Sequence, residues 1–149
     1  MTQSRYLSFS LGAEEYAVPL LVVKEVIAMP EITPVPFAPA YFLGIMNLRG
    51  QVISVVDLRT RLGIKAQNGP ETGIIICDLG ATTLGVVVDS INSVVTPEAE
   101  DLSEKPDVSP KNSEYITQIF RKDKDLVFLI DIALALGVQD LALAKRSAA

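Results

Sequence analysis

Asp57, Asp78, Asp89 and Asp131 are the side chains through which this chain could do acid–base chemistry. A pair of carboxylates can share the roles of acid, base and nucleophile, and their separation decides which. The sequence does not pair them. Asp57 and Asp131 end equivalent segments in different halves, and Asp78 and Asp89 lie at opposite ends of one hairpin. Ser8 and Ser90 would be nucleophiles without an evident base. The chain has no histidine, which removes the commonest general base and the commonest metal ligand. Its one cysteine, Cys77, sits in an apolar run and reads as a buried thiol acting as a small hydrophobe. Neither a phosphate-binding loop nor a cysteine pair for zinc occurs. No enzyme, cofactor or metal is expected.

One cation is placed differently from the rest. In Asn47-Leu48-Arg49-Gly50 a lone arginine follows an apolar residue at a tight bend, and Gly50 is free to take positive φ. The matching bend in the second half, Arg121-Lys122-Asp123-Lys124, is an ordinary charged turn suited to solvent. Arg49 either pairs with a nearby carboxylate or offers its rigid five-donor fork to a partner.

The elements that must position this bend come in two copies. VVDLRTRLGI at Val55–Ile64 returns as LIDIALALGV at Leu129–Val138, and LGAEEYAVPLLVVKEVI at Leu11–Ile27 returns as LGATTLGVVVDSINSVV at Leu79–Val95. Each copy holds roughly 60 residues, a size at which an isolated core is marginal, so the two should fold together. The expected lobes are 6–65, with the C-terminal segment packed on it, and 73–138, in a single domain over 1–149.

Alternation at Tyr6–Leu11 and its return at Tyr16–Pro19 predict a hairpin. Gly73–Leu79 and Leu84–Asp89 repeat it, but Ile74 and Ile76 make the outer face apolar too. That face needs cover from the other lobe or from a partner. Leu20–Ile27 reads as a helical turn or an irregular strand. Prolines at 30, 34, 36 and 39 allow Ile32–Val35 only a short edge strand, and Ala40–Phe42 one helical turn. Ile45–Leu48 with Val52–Val56, and Tyr115–Phe120 with Leu126–Ile130, are the remaining hairpins. Asp57 and Asp131 occupy N-cap positions of short helical segments that stop at Gly63 and Gly137. Pro97–Asn112, with three prolines and five acidic residues, reads as an extended loop, and Leu141–Lys145 as a helical tail. The sum is all-β: two small barrels side by side, with short helical segments.

Hydrophobic residues are 49% and charged residues 21% of the chain, an ordinary globular composition. The net charge of −5 and scattered basic residues argue against nucleic acid. No run is long enough to span a bilayer, and no basic segment precedes a long apolar one near the start. A cytoplasmic location without membrane insertion is the expectation.

NLRGQVISVVDLRTRLG, preceded by EEYAVPLLVVKEV and PEITPVPFAPAYFLGIM and followed by TTLGVVVDSI, resembles the CheW family from about Tyr6 to Leu136. These are adaptors that couple bacterial chemoreceptors to the chemotaxis histidine kinase. The resemblance implies two intertwined five-stranded SH3-like barrels, each lobe closely matching one repeat. It also implies a receptor cytoplasmic hairpin tip lying along the groove between lobes, and end-to-end pairing with the kinase's regulatory domain in membrane-associated arrays. The family's receptor-facing positions fall on Val23, Glu25, Gly44, Arg49, Ile74 and Gly85, with Asn47 and Gly50 shaping the turn. Ser54 stands where the family often has proline, and Gln118 where it often has glycine. An equivalent adaptor controlling pilus-based motility is the alternative reading. A small-barrel nucleic-acid module is the remote one, and tight, salt-sensitive retention on heparin would favour it.

Overall fold

The computed structural model describes residues 4–80, 82–104, 115–122 and 124–136. Gly137, the Leu141–Lys145 tail, Asp123 and the 105–112 part of the expected loop lie outside the described residues. Eleven strands are present among them. These are β1 (Tyr6–Leu11), β2 (Glu14–Pro19), β3 (Val23–Ala28), β4 (Phe42–Leu48), β5 (Gln51–Asp57), β6 (Gly73–Asp78), β7 (Thr83–Val88), β8 (Ser90–Val95), β9 (Leu102–Glu104), β10 (Ile116–Lys122) and β11 (Asp125–Ile130). One short helix, α1 (Leu58–Arg61), follows β5, and a helical turn at 132–136 follows β11. No helix among the described residues is long and apolar enough to cross a membrane.

The strands form two sheets, β8-β1-β2-β11-β10-β9 and β3-β6-β7-β5-β4. The sheets do not follow the sequence copies 6–65 and 73–138. The first hairpin of each copy joins the three later strands of the other copy, so β1–β2 sits with β8, β10 and β11, and β6–β7 with β3, β4 and β5. Each hairpin is joined on both sides, antiparallel where β1 meets β8 and β6 meets β3, and parallel where β2 meets β11 and β7 meets β5. A hairpin pairs antiparallel with its own neighbour, so parallel contact has to come from elsewhere in the chain. The matching of each lobe to one repeat is therefore corrected to a reciprocal exchange.

Three apolar clusters show why this arrangement is stable. Inside the second sheet Met46, Ile53, Val55, Ile74, Ile76 and Val87 pack together. Inside the first, Ala17, Phe120, Val127 and Leu129 do so. The largest cluster draws on both sheets, with Phe9, Val18 and Ile130 meeting Val56, Ile75 and Leu84, and with Leu58 and Leu136 of the helical segments plugging it. The question left by the doubly apolar β6 is answered within the chain. Ile75 and Cys77 face the seam between sheets, while Ile74 and Ile76 face the interior of their own sheet. Burial pushes the Cys77 thiol up to about 12, which leaves it protonated and unreactive at neutral pH.

Leu20–Ile27 combines both of its expected forms, a 3-10 turn at Leu20–Val22 running into the irregular strand β3. Two local expectations are corrected. Ile32–Val35 keeps only one bridge, Thr33 to Ile45, because the flanking prolines supply no ladder donors. Residues 40–41 make a turn closed by Phe42 N–H to the Pro39 carbonyl at 3.0 Å, not a helical turn. Within the expected loop, a 3-10 turn at Ala99–Asp101 leads into β9, whose Leu102 packs on the first sheet's interior. β9 adds a sixth strand to that sheet, at the place where Thr33 bridges β4 in the second.

Candidate partner-binding face

Arg49 and Gly50 are the two central residues of the β4–β5 hairpin, between Leu48 and its partner Gln51. Their φ angles are 52° and 86°. Positive φ at both positions is the requirement of the type I′ turn, whose twist matches that of the flanking strands. Gly50 meets it freely. Arg49 does not, since a side chain in the left-handed region costs roughly 1–2 kcal/mol. The Asn47 Oδ1 accepts a hydrogen bond from Gly50 N–H at 2.8 Å and clamps the turn.

The Arg49 side chain reaches across to β3, where Nη2 donates to Glu25 Oε1. β3 and β4 are the two edges of the second sheet, so this ion pair spans the gap through which the curled sheet would otherwise stay open. The guanidinium is nonetheless 70% exposed and the carboxylate 31%. Of the two readings of Arg49, the pairing with a nearby carboxylate is the one seen here, and most of the fork still faces solvent. An exposed pair of this kind contributes about 0–1 kcal/mol, no more than the backbone strain it accompanies.

Val23 lies half-buried on β3 at the seam cluster, and Glu25 follows after an irregularity in the β3–β6 register. Val26, on the other side of β3, is 45% exposed. A cleft runs between the free edges of the two sheets, with Val26 and Ala28 on one wall, Ile91 and Asn92 of β8 on the other, and Gly73 between them. A smaller recess lined by Pro30, Thr33, Ile45, Asn47 and Val52 lies beside the Arg49 turn. The face therefore combines one fixed cation with recesses of mixed polar and apolar lining.

Gly44 is not itself an exposed contact. It is buried on β4 with φ at 145°, and a Cβ there would stand 2.0 Å from the Thr33 carbonyl oxygen. It lets the 30–39 segment lie against β4. Ile74 and Gly85 are also buried, against the implication that they face a receptor. They stand on the interior face of the second sheet, where a Cβ on Gly85 would come within 2.9 Å of Ile74 Cγ2. The structure thus pairs Glu25 with Arg49 at the surface, keeps Val23 half-buried on the same strand as Glu25, and buries Gly44, Ile74 and Gly85.

The carboxylates are used in the fold. Asp78 Oδ1 accepts from Gly80 N–H at 2.9 Å, and Asp131 Oδ1 from Leu134 N–H at 3.1 Å. Asp57 caps α1 through Arg59 N–H at 3.0 Å. Ser8 is fully buried, its hydroxyl accepting from Ser93 N–H.

Arg59 is the residue that sequence reasoning missed. Its side chain is 2% exposed. Nε and Nη2 donate to the two oxygens of Asp57 at 2.9 and 3.0 Å, and Nη1 donates to Asp89 Oδ1 at 3.0 Å. Asp89 also accepts from Gly12 N–H at 2.7 Å and Gln67 N–H at 3.2 Å. Burial alone would raise the Asp89 carboxyl, but these amides and the guanidinium hold it below the usual carboxylate range. Arg59 is raised, first by its bonds to Asp57. The signal was available in the repeat, since Ala133 stands where Arg59 does in the first copy.

Known proteins agree with this architecture. A CheW-like domain profile matches residues 5–139. The chemotaxis protein CheW of Treponema pallidum is 31% identical over 136 residues, covering 87% of this chain and 80% of that protein. The Bacillus subtilis CheW is 32% identical over 132 residues, covering 87% and 85%. Among solved structures, the scaffolding protein TtCheW from Thermoanaerobacter tengcongensis superposes with a TM-score of 0.84 at 27% identity, over 93% of this chain and 96% of that one. With the exchanged two-sheet fold and a profile spanning nearly its whole length, the chain belongs to the CheW family.

Proposed function

We propose that this protein is a non-enzymatic adaptor that joins the cytoplasmic hairpin tip of a chemoreceptor to the regulatory domain of a chemotaxis histidine kinase. Receptor state would then bias kinase activity through two contacts held on one body. The receptor contact is the face around Arg49, with Glu25 orienting the guanidinium, Val23 beside it, and the cleft between β3 and β8 alongside. Ile74, Gly85 and Gly44 act from beneath by shaping the strands that carry this face. The work is done in the cytoplasm at receptor arrays, where several moderate contacts can add up through avidity.

The observation that carries this reading is Arg49 itself, an exposed arginine kept in a left-handed turn where Asn or Gly is the usual occupant. Strain retained at an exposed charged residue fits a binding role better than a structural one. Calorimetry with a receptor tip fragment should show Arg49→Ala weakening binding by roughly 1–3 kcal/mol, the range for losing an anchor, with the fold intact. Arg49→Asn should bind as poorly while being at least as stable as the parent chain, because it relieves about 1 kcal/mol of strain. Unchanged affinity in a folded Arg49→Ala would remove the role given to this residue. Pull-downs with the receptor fragment and the kinase regulatory domain, singly and together, test whether both contacts exist and coexist.

A further inference from the structure

The two arginine pairs described above lie at opposite ends of one strand. β5 runs from the Arg49–Gly50 turn to Asp57, and at about 3.3 Å per residue it spans roughly 20 Å. At its start the turn is tied by Arg49 to Glu25 on the far edge of the same sheet. At its end Asp57 binds Arg59 through both carboxylate oxygens, and Arg59 carries the connection to Asp89. Asp89 immediately precedes β8, an edge strand of the other sheet. Its carboxylate also holds the β1–β2 turn of that sheet through Gly12 N–H, and its own N–H donates to the Ser10 carbonyl at 3.1 Å.

Between these ends β5 has little freedom. It pairs with β4 on one side and β7 on the other, and Ile53 to Asp57 are buried. A buried strand with close-packed neighbours shifts as a unit, because side chains around it leave no room for gradual deformation. At its end, a two-oxygen arginine–carboxylate contact is more geometrically restrictive than a single hydrogen bond.

We propose that β5 and the buried Asp57–Arg59–Asp89 cluster form one transmission element, which makes the position of β8 on one sheet respond to the state of the Arg49 turn on the other. Arg59 is a positioning residue in this scheme and touches no partner. β8 is one wall of the cleft between the sheets, so the element sets the width of that cleft. The proposal deepens the adaptor reading by naming how occupancy at Arg49 reaches the second sheet. The linkage itself is a property of the chain alone.

It is tested without either partner, by NMR on the full chain. Glu25→Gln removes the exposed ion pair at one end of β5 while keeping side-chain size. The expected result is a change in the Arg59 Nε–H resonance, the Gly12 amide and the Ser90 and Ile91 amides that exceeds any change at Val127 or Leu129 in the same sheet. Shifts that die out along β5 before Asp57 would overturn the proposal. Asp89→Asn, or Arg59→Lys if that variant does not fold, gives the route. In that background the response to Glu25→Gln at Ser90 and Ile91 should disappear, and its persistence would also overturn the proposal. Failure of the receptor fragment to bind would count against the adaptor reading, while these resonances would still decide the linkage.

Discussion

Arg59→Ala should lower the stability of the fold by about 3–5 kcal/mol, the range for removing one partner of a buried ion pair. The variant leaves Asp57 and Asp89, both nearly buried, without their shared cation. It also empties the space of one of the largest fully buried side chains in the molecule, so a cavity term adds to the charge term. For a chain of this length the unfolding temperature should fall by roughly 10 °C. The acid side of the stability profile should change as well. Asp89 is held below the usual carboxylate range in the folded state, so its contribution is fully present above the unfolded value. It is lost as pH falls through the depressed folded value. Without Arg59 this contribution shrinks, and the variant's stability should depend less steeply on pH between neutrality and acid. Thermal unfolding of both proteins across that range measures it. Equal acid slopes, or a loss under 1 kcal/mol, would show that the cluster does not hold the seam.

Gly44→Ala should be the other damaging single change, at about 2–5 kcal/mol, from overpacking together with a disfavoured backbone conformation. The three atoms nearest the added methyl would all be backbone, Thr33 O at 2.0 Å, Thr33 C at 2.7 Å and Pro34 Cα at 2.9 Å. No side chain can swing away to accommodate it. The chain must instead break the bridge in which Thr33 N–H donates to Ile45 O and Ile45 N–H to Thr33 O. Hydrogen exchange should show both amides losing protection while those of β6 and β7 keep theirs. Protection at Thr33 and Ile45 equal to the parent chain would refute the account. Any loss of receptor binding in this variant would come from release of the 30–39 segment beside the Arg49 turn, since Gly44 is buried and has no side chain to offer.

Much of this was legible from residue order. The hairpins followed from period-two alternation, and the caps Asp57 and Asp131 from their place before short apolar segments that end in glycine. Arg49 emerged because the two copies differ at its turn. What could not be read was which strands pair. A repeat shows that two segments share a shape, but hydrogen-bond partners are chosen by packing between segments distant in the chain. The parallel joints of β2 with β11 and β5 with β7 leave no local mark. Ile74 shows the same limit: an apolar residue on the second face of a strand announces a need for cover and is silent on its source. Arg59 was within reach, since the contrast with Ala133 is of the same kind as the contrast that exposed Arg49.

The reciprocal exchange of hairpins also determines what can come apart. A cut in the 65–72 connection would not release two independent halves. The N-terminal piece would keep β3, β4 and β5 without the β6–β7 hairpin that lies between β3 and β5, and the C-terminal piece would lack the β1–β2 hairpin between β8 and β11. Each fragment holds the missing middle of the other, so recovery of the fold requires both to meet. Within one chain that mutual dependence makes unfolding a single cooperative event dominated by long-range pairings, and such topologies form slowly. A body that cannot open one half at a time can carry a displacement from one of its ends to the other without losing it to local melting.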